Sequence, residues 1–170
     1  MCFHSKQSKS AQEVAKRFNA SIETMDAFLQ TEHINGYNFT KTPVITNQND
    51  KLITNMHWGL IPTWAKDENI RSMTLNARIE TIEEKPAYKQ NTQNRCLIIA
   101  DGFYEWKWLD AKGKLKDKYL ITLPNEELYT YAGIYSNWTN PTTGEEIYSY
   151  AMVTTQANEL MSKIHNIKKR

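Results

Sequence analysis

Long apolar runs are missing from this sequence, although 40% of its 170 residues are hydrophobic. No stretch is long and apolar enough to span a membrane as a helix. The polar N-terminus also lacks the apolar segment that marks a signal peptide. These absences argue against the membrane-spanning and secreted classes and predict a cytoplasmic protein.

Cysteine is scarce too. The chain has only Cys2 and Cys96, and two cysteines do not make the dense disulfide framework of small secreted domains. The four histidines lie far apart in the sequence: His4, His33, His57 and His165. They lack the spacing of a zinc motif, so we expect neither a structural metal nor another cofactor.

Repeats, low-complexity segments and interdomain linkers are absent as well. A chain of 170 residues then predicts a single domain with a core of its own. Lys and Arg total 21 against 19 Asp and Glu, which gives a formal charge of +2. This mild excess permits nucleic-acid binding but does not argue for it as a strongly basic chain would.

The most informative stretch is Arg95–Trp106. Its apolar run Cys96–Ala100 is typical of a strand buried on both faces. Asp101 and Gly102 break the run, and Glu105 follows among three aromatic residues. Aromatic walls raise the pKa of a carboxyl group, which would let Glu105 transfer protons near neutral pH. The alternative is an ordinary strand with an outward-facing glutamate, and spacing alone favours that alternative.

A cysteine directly after the initiator methionine is the second informative feature. Aminopeptidases remove Met1 when the next side chain is small, which would leave a free α-amine and a thiol on adjacent carbons of Cys2. Their ordinary pKa values are about 8 and about 8.5, so both are partly reactive at neutral pH. Such an aminothiol condenses with an aldehyde to an imine and then to a thiazolidine ring. The alternative is an incidental second residue.

Turn and capping signals predict a strand-rich chain with a few helices. Ser10 and Glu13 match a capping box that begins a helix to about Phe18. Further helices are predicted over residues 21–30, 76–85 and 156–163. Strands are predicted over residues 42–47, 51–57, 119–123, 128–136 and 147–155.

Several side chains suit nucleic-acid contacts, each with a structural alternative. Trp58 and Trp64 lie in an aromatic loop, where they would either stack on bases or anchor the loop on the core. Arg78, near the start of a predicted helix, favours a phosphate or is a common surface arginine. The lysines of residues 112–118 crowd a turn, where a solvated hairpin is favoured over a phosphate-facing loop. His165, alone after the last helix, is typical of a structural or exposed histidine.

Taken in order, these pieces resemble the SRAP family, the SOS-response-associated peptidases or abasic-site processing proteins. The matching segments are Cys2 directly after Met1, Trp58–Pro62 with Trp64, Asn76–Thr81, Arg95–Trp106, and Thr154 followed by Ile164 and His165. They span nearly the whole chain, and Asp-Gly-Phe-Tyr-Glu-Trp is the most specific. Five ordered matches argue against chance agreement.

The resemblance implies a fold and an activity. The family fold is a compact α+β domain of curved, mostly antiparallel sheets, barrel-like with flanking helices, here over residues 1–170. Family members recognise abasic sites in single-stranded DNA, and their N-terminal cysteine forms a thiazolidine with the sugar aldehyde. The implied partner is single-stranded DNA that contains abasic sites, and the implied location is the cytoplasm, on the nucleoid when the protein acts on DNA.

The resemblance also implies catalytic roles. Cys2 would be the nucleophile through its amine and its sulfur. Glu105 would transfer protons during imine formation, and His165 would be the acid/base that helps to open and release the sugar. Asn76 would orient Cys2 by a hydrogen bond. The imine would also support a lyase side activity, since it promotes β-elimination.

DNA contacts follow from the same resemblance. Arg78 would hold a phosphate by a bidentate contact, and Trp58 or Trp64 would stack on an exposed base. Thr154 belongs to a matching segment and is assigned to the DNA-binding set. The family usually has Gly-Arg after the cysteine, so His4 would be a weaker, pH-dependent substitute for that arginine.

Two other functions compete with cross-linking. The family name suggests a cysteine-type peptidase in which Cys2, His165 and Glu105 form a thiol-imidazole-carboxylate set, and self-removal of a leader fits better than turnover of other proteins. The third candidate is a non-catalytic single-strand binder that uses the tryptophans and the lysine-rich loop. Family chains also continue past the histidine, which implies that residues 1–170 lack a C-terminal portion.

Overall fold

The computed structural model describes residues 2–166, which form a strand-rich mixed α/β domain. The strands are β1 His4–Gln7, β2 Ser21–Ile22, β3 Thr31–Asn35, β4 Lys41–Thr46, β5 Asn49–Trp58, β6 Asn76–Arg78, β7 Arg95–Ala100, β8 Gly102–Trp108, β9 Lys116–Ile121, β10 Tyr129–Thr139 and β11 Glu146–Thr154. The helices are α1 Ala11–Phe18 and α2 Glu159–Ile164, and short 3₁₀ turns lie between the strands. Among the described residues, no helix has the length and apolar character needed to cross a membrane.

Five strands close into a barrel in the order β5-β4-β7-β10-β11. Antiparallel ladders join each neighbouring pair. A short parallel pairing of β11 with β5 closes the ring, at Ser149 with His57 and Tyr150 with Trp58. Closure leaves no free strand edge in the ring. The predicted α+β class with a barrel-like, mostly antiparallel sheet is confirmed.

The barrel interior is filled by side chains and is therefore a core rather than a channel. Trp58 and Tyr150 are each about 1% exposed and stack with their ring centroids 6.3 Å apart. The hydroxyl of Tyr150 hydrogen-bonds to Thr42 at 2.8 Å, so the polar end of this ring is satisfied. At Gly133 an added Cβ would lie 2.8 Å from Sγ of Cys96, which shows how closely the strands pack there.

A second, four-stranded antiparallel sheet runs in the order β3-β1-β8-β9. The chain passes from the barrel into this sheet between β7 and β8, at Asp101. The Asp101 carboxylate is fully buried and accepts hydrogen bonds from the backbone N–H and the hydroxyl of Ser8, at 2.9 and 2.6 Å. Lys6 forms an ion pair with the same carboxylate at 3.4 Å. These contacts hold the N-terminal strand β1 beside β8, the strand that carries Glu105.

The first predicted helix is confirmed at α1, and the capping box that begins it is present. Ser10 accepts from the N–H of Glu13, and the Glu13 carboxylate accepts from the N–H of Ser10 at 2.8 Å. The helix predicted over residues 21–30 is wrong. Ser21–Ile22 is instead a strand on the barrel edge, paired in parallel with β5, and only a 3₁₀ turn follows at Met25–Ala27. The apolar spacing predicted a helix here, but pairing with β5 satisfies the backbone hydrogen bonds of Ser21–Ile22 instead.

The helix predicted over residues 76–85 is also wrong. Asn76–Arg78 is strand β6, which runs parallel to β11 with Asn76 opposite Met152 and Arg78 opposite Thr154. Only a 3₁₀ turn, Ile79–Thr81, follows it. The last helix, α2, begins at Glu159 rather than at residue 156, and all five predicted strands are confirmed within a few residues.

Candidate active site and nucleic-acid interface

The first part of the candidate site is a carboxylate–imidazole pair. Glu105 lies in β8 and is 8% exposed, and its Oε1 is 3.0 Å from Nδ1 of His165. The same oxygen accepts from the backbone N–H of Trp106 at 3.3 Å. Sixty residues separate Glu105 and His165, and the fold brings them into hydrogen-bond contact. A carboxylate bonded to an imidazole can hold or pass a single proton at this position.

The end of α2 is fixed so that His165 reaches Glu105. Asn158 caps the helix by accepting from the N–H of Met161 at 2.9 Å. Beyond the helix, the Asn166 side-chain amide pairs with the backbone of Trp108, accepting from its N–H at 2.9 Å and donating to its carbonyl at 2.8 Å. The hydrogen bonds of Asn166, the next residue, therefore hold His165 against β8.

Cys2 forms the second part of the candidate site. Nδ2 of Asn76 donates to the Cys2 carbonyl at 2.8 Å, and the Cys2 thiol lies 3.4 Å from the carbonyl of His4, to which it donates. Burial, with a smaller contribution from the negative charge of Glu105, raises the pKa of this thiol to about 12. The thiol is therefore protonated at neutral pH, and the Glu105 carboxylate acts on it electrostatically.

Asn76 has a second polar atom at this position. Its Oδ1 is buried and has no hydrogen-bond partner among the described residues. The same holds for the hydroxyl of Thr154, two register positions along the adjacent strand. Buried polar atoms without partners are uncommon in folded proteins and suit a bound group that supplies the missing hydrogen bonds.

A cleft of about 320 Å³ opens over the Glu105–His165 pair. It is lined by Phe3, His4, Tyr104, Glu105, Trp106, Trp108, Lys116 and His165. Aromatic and cationic side chains with one carboxylate fit a ligand that has both flat rings and negative charge. Among the described residues, no group of three or more His, Cys, Asp or Glu side chains could hold a metal ion.

His4 lies at the edge of this cleft as part of a histidine pair. Its Nδ1 is 2.9 Å from Nε2 of His33, and its ring meets the edge of Trp106 at a centroid distance of 4.5 Å. Burial, His33 and Lys118 all lower the pKa of His4 below its ordinary 6.5. His4 is therefore neutral at pH 7 and gains charge only in acid, unlike an arginine.

The family model of the SOS response associated peptidases (SRAP) matches residues 1–168. The chain belongs to the SRAP family. It is 38% identical over 160 residues to the abasic site processing protein YoqW of Bacillus subtilis (strain 168), a match that covers 91% of this chain and 68% of YoqW. It is 32% identical over 143 residues to the abasic site processing protein HMCES of Gallus gallus, covering 71% of this chain and 42% of HMCES. The crystal structure of a protein from Bacteroides thetaiotaomicron superposes with a TM-score of 0.89 at 35% identity, over 98% of this chain and 74% of that protein.

Of the two tryptophans assigned to base stacking in this SRAP chain, only Trp64 has an exposed ring. Trp58 is 1% exposed and donates its indole N–H to the Leu75 carbonyl at 2.9 Å, so the prediction that it stacks on a base is wrong. Trp64 is 51% exposed, with its indole N–H donated to the Pro86 carbonyl at 3.3 Å. It is free on its surface side to meet a base.

Arg78 shares a strand face with Asn76, the residue that contacts Cys2. Asn76 and Arg78 are two residues apart in β6 and therefore point to the same face. Asn76 touches Cys2 on that face, and Arg78 is exposed. A guanidinium in that place fits the phosphate contact assigned to it, although it lies on a strand rather than at a helix start.

The sequence analysis named the aromatic residues around Glu105 and the lysines of residues 112–118 separately, but it missed that they lie together on the outer face of the second sheet. Nζ of Lys118 is 4.0 Å from the ring centroid of Tyr104, and Nζ of Lys116 is 5.6 Å from that of Trp108. The signal was present as aromatic residues at every second position of 104–108 and lysines at every second position of 112–118. Two such patterns joined by a turn predict one shared face of a hairpin.

Proposed function

We propose that this SRAP protein is an abasic-site processing protein that binds single-stranded DNA and forms a thiazolidine cross-link between Cys2 and the sugar aldehyde. One observation carries the proposal. The Cys2 carbonyl accepts a hydrogen bond from Asn76, and the Cys2 thiol lies within electrostatic reach of the Glu105 carboxylate, which is hydrogen-bonded to His165. A nucleophile and a proton carrier in one region are what condensation with an aldehyde requires.

The reaction uses an N-terminal Cys2 from which Met1 has been removed. The α-amine attacks C1′ of the ring-opened sugar to form a carbinolamine. Glu105 donates a proton to the departing oxygen, water leaves and a protonated imine forms, whose nitrogen keeps its hydrogen. The Cys2 sulfur then bonds to C1′ while the C=N π electrons pass to the nitrogen, so that aldehyde and aminothiol give thiazolidine and one water. The thiol proton is released in this step and returns to Glu105 through His165.

The raised pKa of the Cys2 thiol fits this order of events. A protonated thiol is a weak nucleophile, so the amine reacts first. The protonated imine then carries a positive charge on its C=N group, close to the Cys2 sulfur. This charge lowers the pKa of the thiol at the step where the sulfur must attack. The thiol is thus activated only after the aldehyde has been captured.

The same geometry does not favour a cysteine-type peptidase. Such an enzyme needs a thiolate paired with an imidazolium. Here the His165 Nδ1 is bonded to Glu105 and the Cys2 thiol donates to a backbone carbonyl. Both a pKa of about 12 and the missing thiol–imidazole bond argue against a standing thiolate at Cys2.

DNA would be held around this centre by side chains with separate tasks. Arg78 contacts a phosphate and Trp64 stacks on a base. The Thr154 hydroxyl, which is buried without a partner among the described residues, reaches DNA only if the end of β11 shifts on binding. His4 adds a positive charge only below its ordinary pKa, because its pKa is lowered. The lyase side activity follows if the imine undergoes β-elimination before the sulfur closes the ring.

The test is a denaturing gel of labelled abasic single-stranded DNA mixed with protein whose N-terminus is defined by mass spectrometry. Met-free protein should give a stable cross-link. Met-free Cys2→Ala should give no stable cross-link yet retain strand cleavage that borohydride traps, since its amine still forms an imine. Protein that retains Met1 should do neither. A stable cross-link from protein that retains Met1 would overturn the aminothiol mechanism.

A further inference from the structure

The cleft extends beyond the reactive centre along one face of β8 and β9. Tyr104, Trp106 and Trp108 alternate along β8 and therefore share a face. Lys118 lies directly opposite Trp106, and Lys116 directly opposite Trp108. We call these five side chains the outer β8–β9 face. Glu105 lies between Tyr104 and Trp106 in β8 and therefore points to the other face. The cleft over Glu105 and His165 reaches the outer face as well, because Trp108 and Lys116 also line it.

Trp108 is held in place before any ligand arrives. A Cβ added at Gly113 would lie 2.5 Å from the indole, so the glycine backbone packs closely against the ring and leaves no room for a side chain. Asp110 holds that turn by accepting from the N–H groups of Lys112, Lys114 and Leu115. A ring fixed in this way loses little entropy when a flat group stacks on it.

The charges on this face are arranged for an anion beside each ring. Nζ of Lys116 is 5.6 Å from the Trp108 centroid, and Nζ of Lys118 is 4.0 Å from the Tyr104 centroid and 5.8 Å from the Trp106 centroid. Lysine stems are long and flexible, so each ammonium can turn from the ring to a phosphate while a base takes its place. Alternating rings and cations match the alternating bases and phosphates of a single strand.

We propose that the Trp108–Lys116 end of the outer β8–β9 face is a separate nucleotide subsite for DNA that flanks the lesion. A base stacks on Trp108, and its phosphate pairs with Lys116. The inference rests on the proposed function, because the reacting sugar at Glu105 and His165 places the flanking strand in the same cleft. In this cleft the reacting sugar lies at Glu105 and His165, and the Trp108–Lys116 subsite lies to one side of it. The subsite therefore binds the DNA that flanks the lesion on one side, either 5′ or 3′.

The test measures how affinity depends on oligonucleotide length. Undamaged single strands and strands with a stable abasic analogue are lengthened by one nucleotide at a time, either 5′ or 3′ of a fixed position. The dissociation constant is measured by fluorescence anisotropy at several salt concentrations, and affinities of different strands are compared at the same salt concentration. Wild-type protein should gain at least about fivefold in affinity from lengthening on one side, because stacking of one base contributes that much or more.

Two variants remove that gain by different means. Trp108→Leu should reduce the ratio of long-strand to short-strand affinity towards one, and Trp108→Phe should restore part of it because a ring is present again. Lys116→Gln, an exposed change that leaves the fold intact, should reduce the gain and lower the salt slope by about one. Matched controls are Lys114→Gln in the same hairpin turn and Tyr119→Leu, which lies on the opposite face of β9; both should keep the wild-type gain.

The inference is overturned if Trp108→Leu and Lys116→Gln keep the wild-type gain, or if the wild type gains nothing on either side. Its failure is distinguishable from failure of the proposed function, because undamaged strands report binding without any covalent step. A cross-link with no length gain sinks the subsite alone. A length gain without any cross-link sinks the proposed reaction and leaves the subsite standing.

Discussion

The two cysteines of this chain lie in two regions that share burial and differ in their neighbours. Burial raises the pKa of both thiols to about 12. Cys96 lies on β7, buried beside Gly133 within a cluster of aliphatic and aromatic side chains, and the partly buried Cys2 packs against the outside of the same cluster. Cys2 lies where the second sheet meets the barrel, with an amide and a carboxylate beside it. Burial alone therefore does not make a thiol reactive. What distinguishes Cys2 is the presence of polar neighbours, Asn76 and Glu105, between the two sheets.

The largest expected effect separates the two cysteines directly. Met-free Cys2→Ala should abolish the stable cross-link, whereas Cys96→Ala should keep it and lose only packing. Removing the Cys96 sulfur from a filled core should lower the free energy of unfolding by about 1 kcal/mol. Both proteins are compared on the denaturing gel and by urea unfolding. Loss of the cross-link in Cys96→Ala at full folding would contradict the comparison.

The next effect concerns the carboxylate that distinguishes the Cys2 region. Glu105→Gln keeps the size of the side chain and removes its proton transfer, so the cross-linking rate at saturating DNA should fall by about 10²- to 10⁴-fold. Affinity for undamaged DNA should change little. Glu84→Gln, an exposed glutamate elsewhere, is the control. An unchanged rate in Glu105→Gln would remove it from the mechanism.

The Cys96 region should respond to packing instead of charge. In Gly133→Ala the new Cβ would lie 2.8 Å from Sγ of Cys96 and 2.8 Å from Cδ1 of Ile98. The strain should lower the free energy of unfolding by about 1–3 kcal/mol, measured in urea, while the cross-linking rate per folded molecule stays the same. Adding Cys96→Ala should recover part of the loss, since it removes one clashing atom. No recovery in the double variant would show that the clash lies elsewhere.

Binding should be separable from chemistry within the Cys2 region. Arg78→Ala should weaken binding to abasic and undamaged strands alike and lower the salt slope by about one, because a phosphate contact carries no information about the lesion. Anisotropy titrations at several salt concentrations measure both quantities. If only the reaction slows, with affinity and salt slope unchanged, Arg78 belongs to the chemistry.

The smallest effect is a pH dependence of stability that the barrel should show. The pKa of Cys96 is raised from 9.0 to about 12, so the folded state favours the protonated thiol. Its contribution is complete below pH 9 and is lost as the pH rises from 9 towards 12. At pH 10 the loss should be about 1 kcal/mol, measured as the difference in urea unfolding between wild type and Cys96→Ala at pH 7.5 and pH 10. An equal alkaline slope in both proteins would place the titrating group elsewhere.

Local signals in the sequence predicted some features well. The capping box at Ser10 uses only neighbouring residues, and it begins α1 as expected. The apolar run Cys96–Ala100 became β7 as predicted, and Ile98, Ile99 and Ala100 are buried, although Leu97 is 45% exposed, so the strand is buried on both faces only towards its end. The assignment of site residues came from ordered motifs; the structure brings Asn76 to Cys2 and Glu105 to His165, and their roles stay a prediction.

Other features depended on partners far along the chain. Residues 76–78 became a strand because β11 offers them a backbone ladder, which their local spacing does not reveal. Trp58 is the last residue of β5, and its indole is buried where β5 pairs with β11 to close the barrel. The aromatic residues of β8 form a candidate DNA-binding face only because β9 pairs with β8 and places lysines opposite them.

By itself the sequence determined which chemical groups this protein has: an aminothiol precursor at Cys2, a carboxylate among aromatic rings, and strands long and apolar enough to build a core. Only the tertiary structure decided which of these groups meet. Contacts across 60 or more residues, such as His165 with Glu105 and Asn76 with Cys2, arise because barrel closure and the clamp at Asp101 place distant strands side by side. Local propensities act over a few residues, whereas such contacts depend on how the whole chain buries its apolar surface.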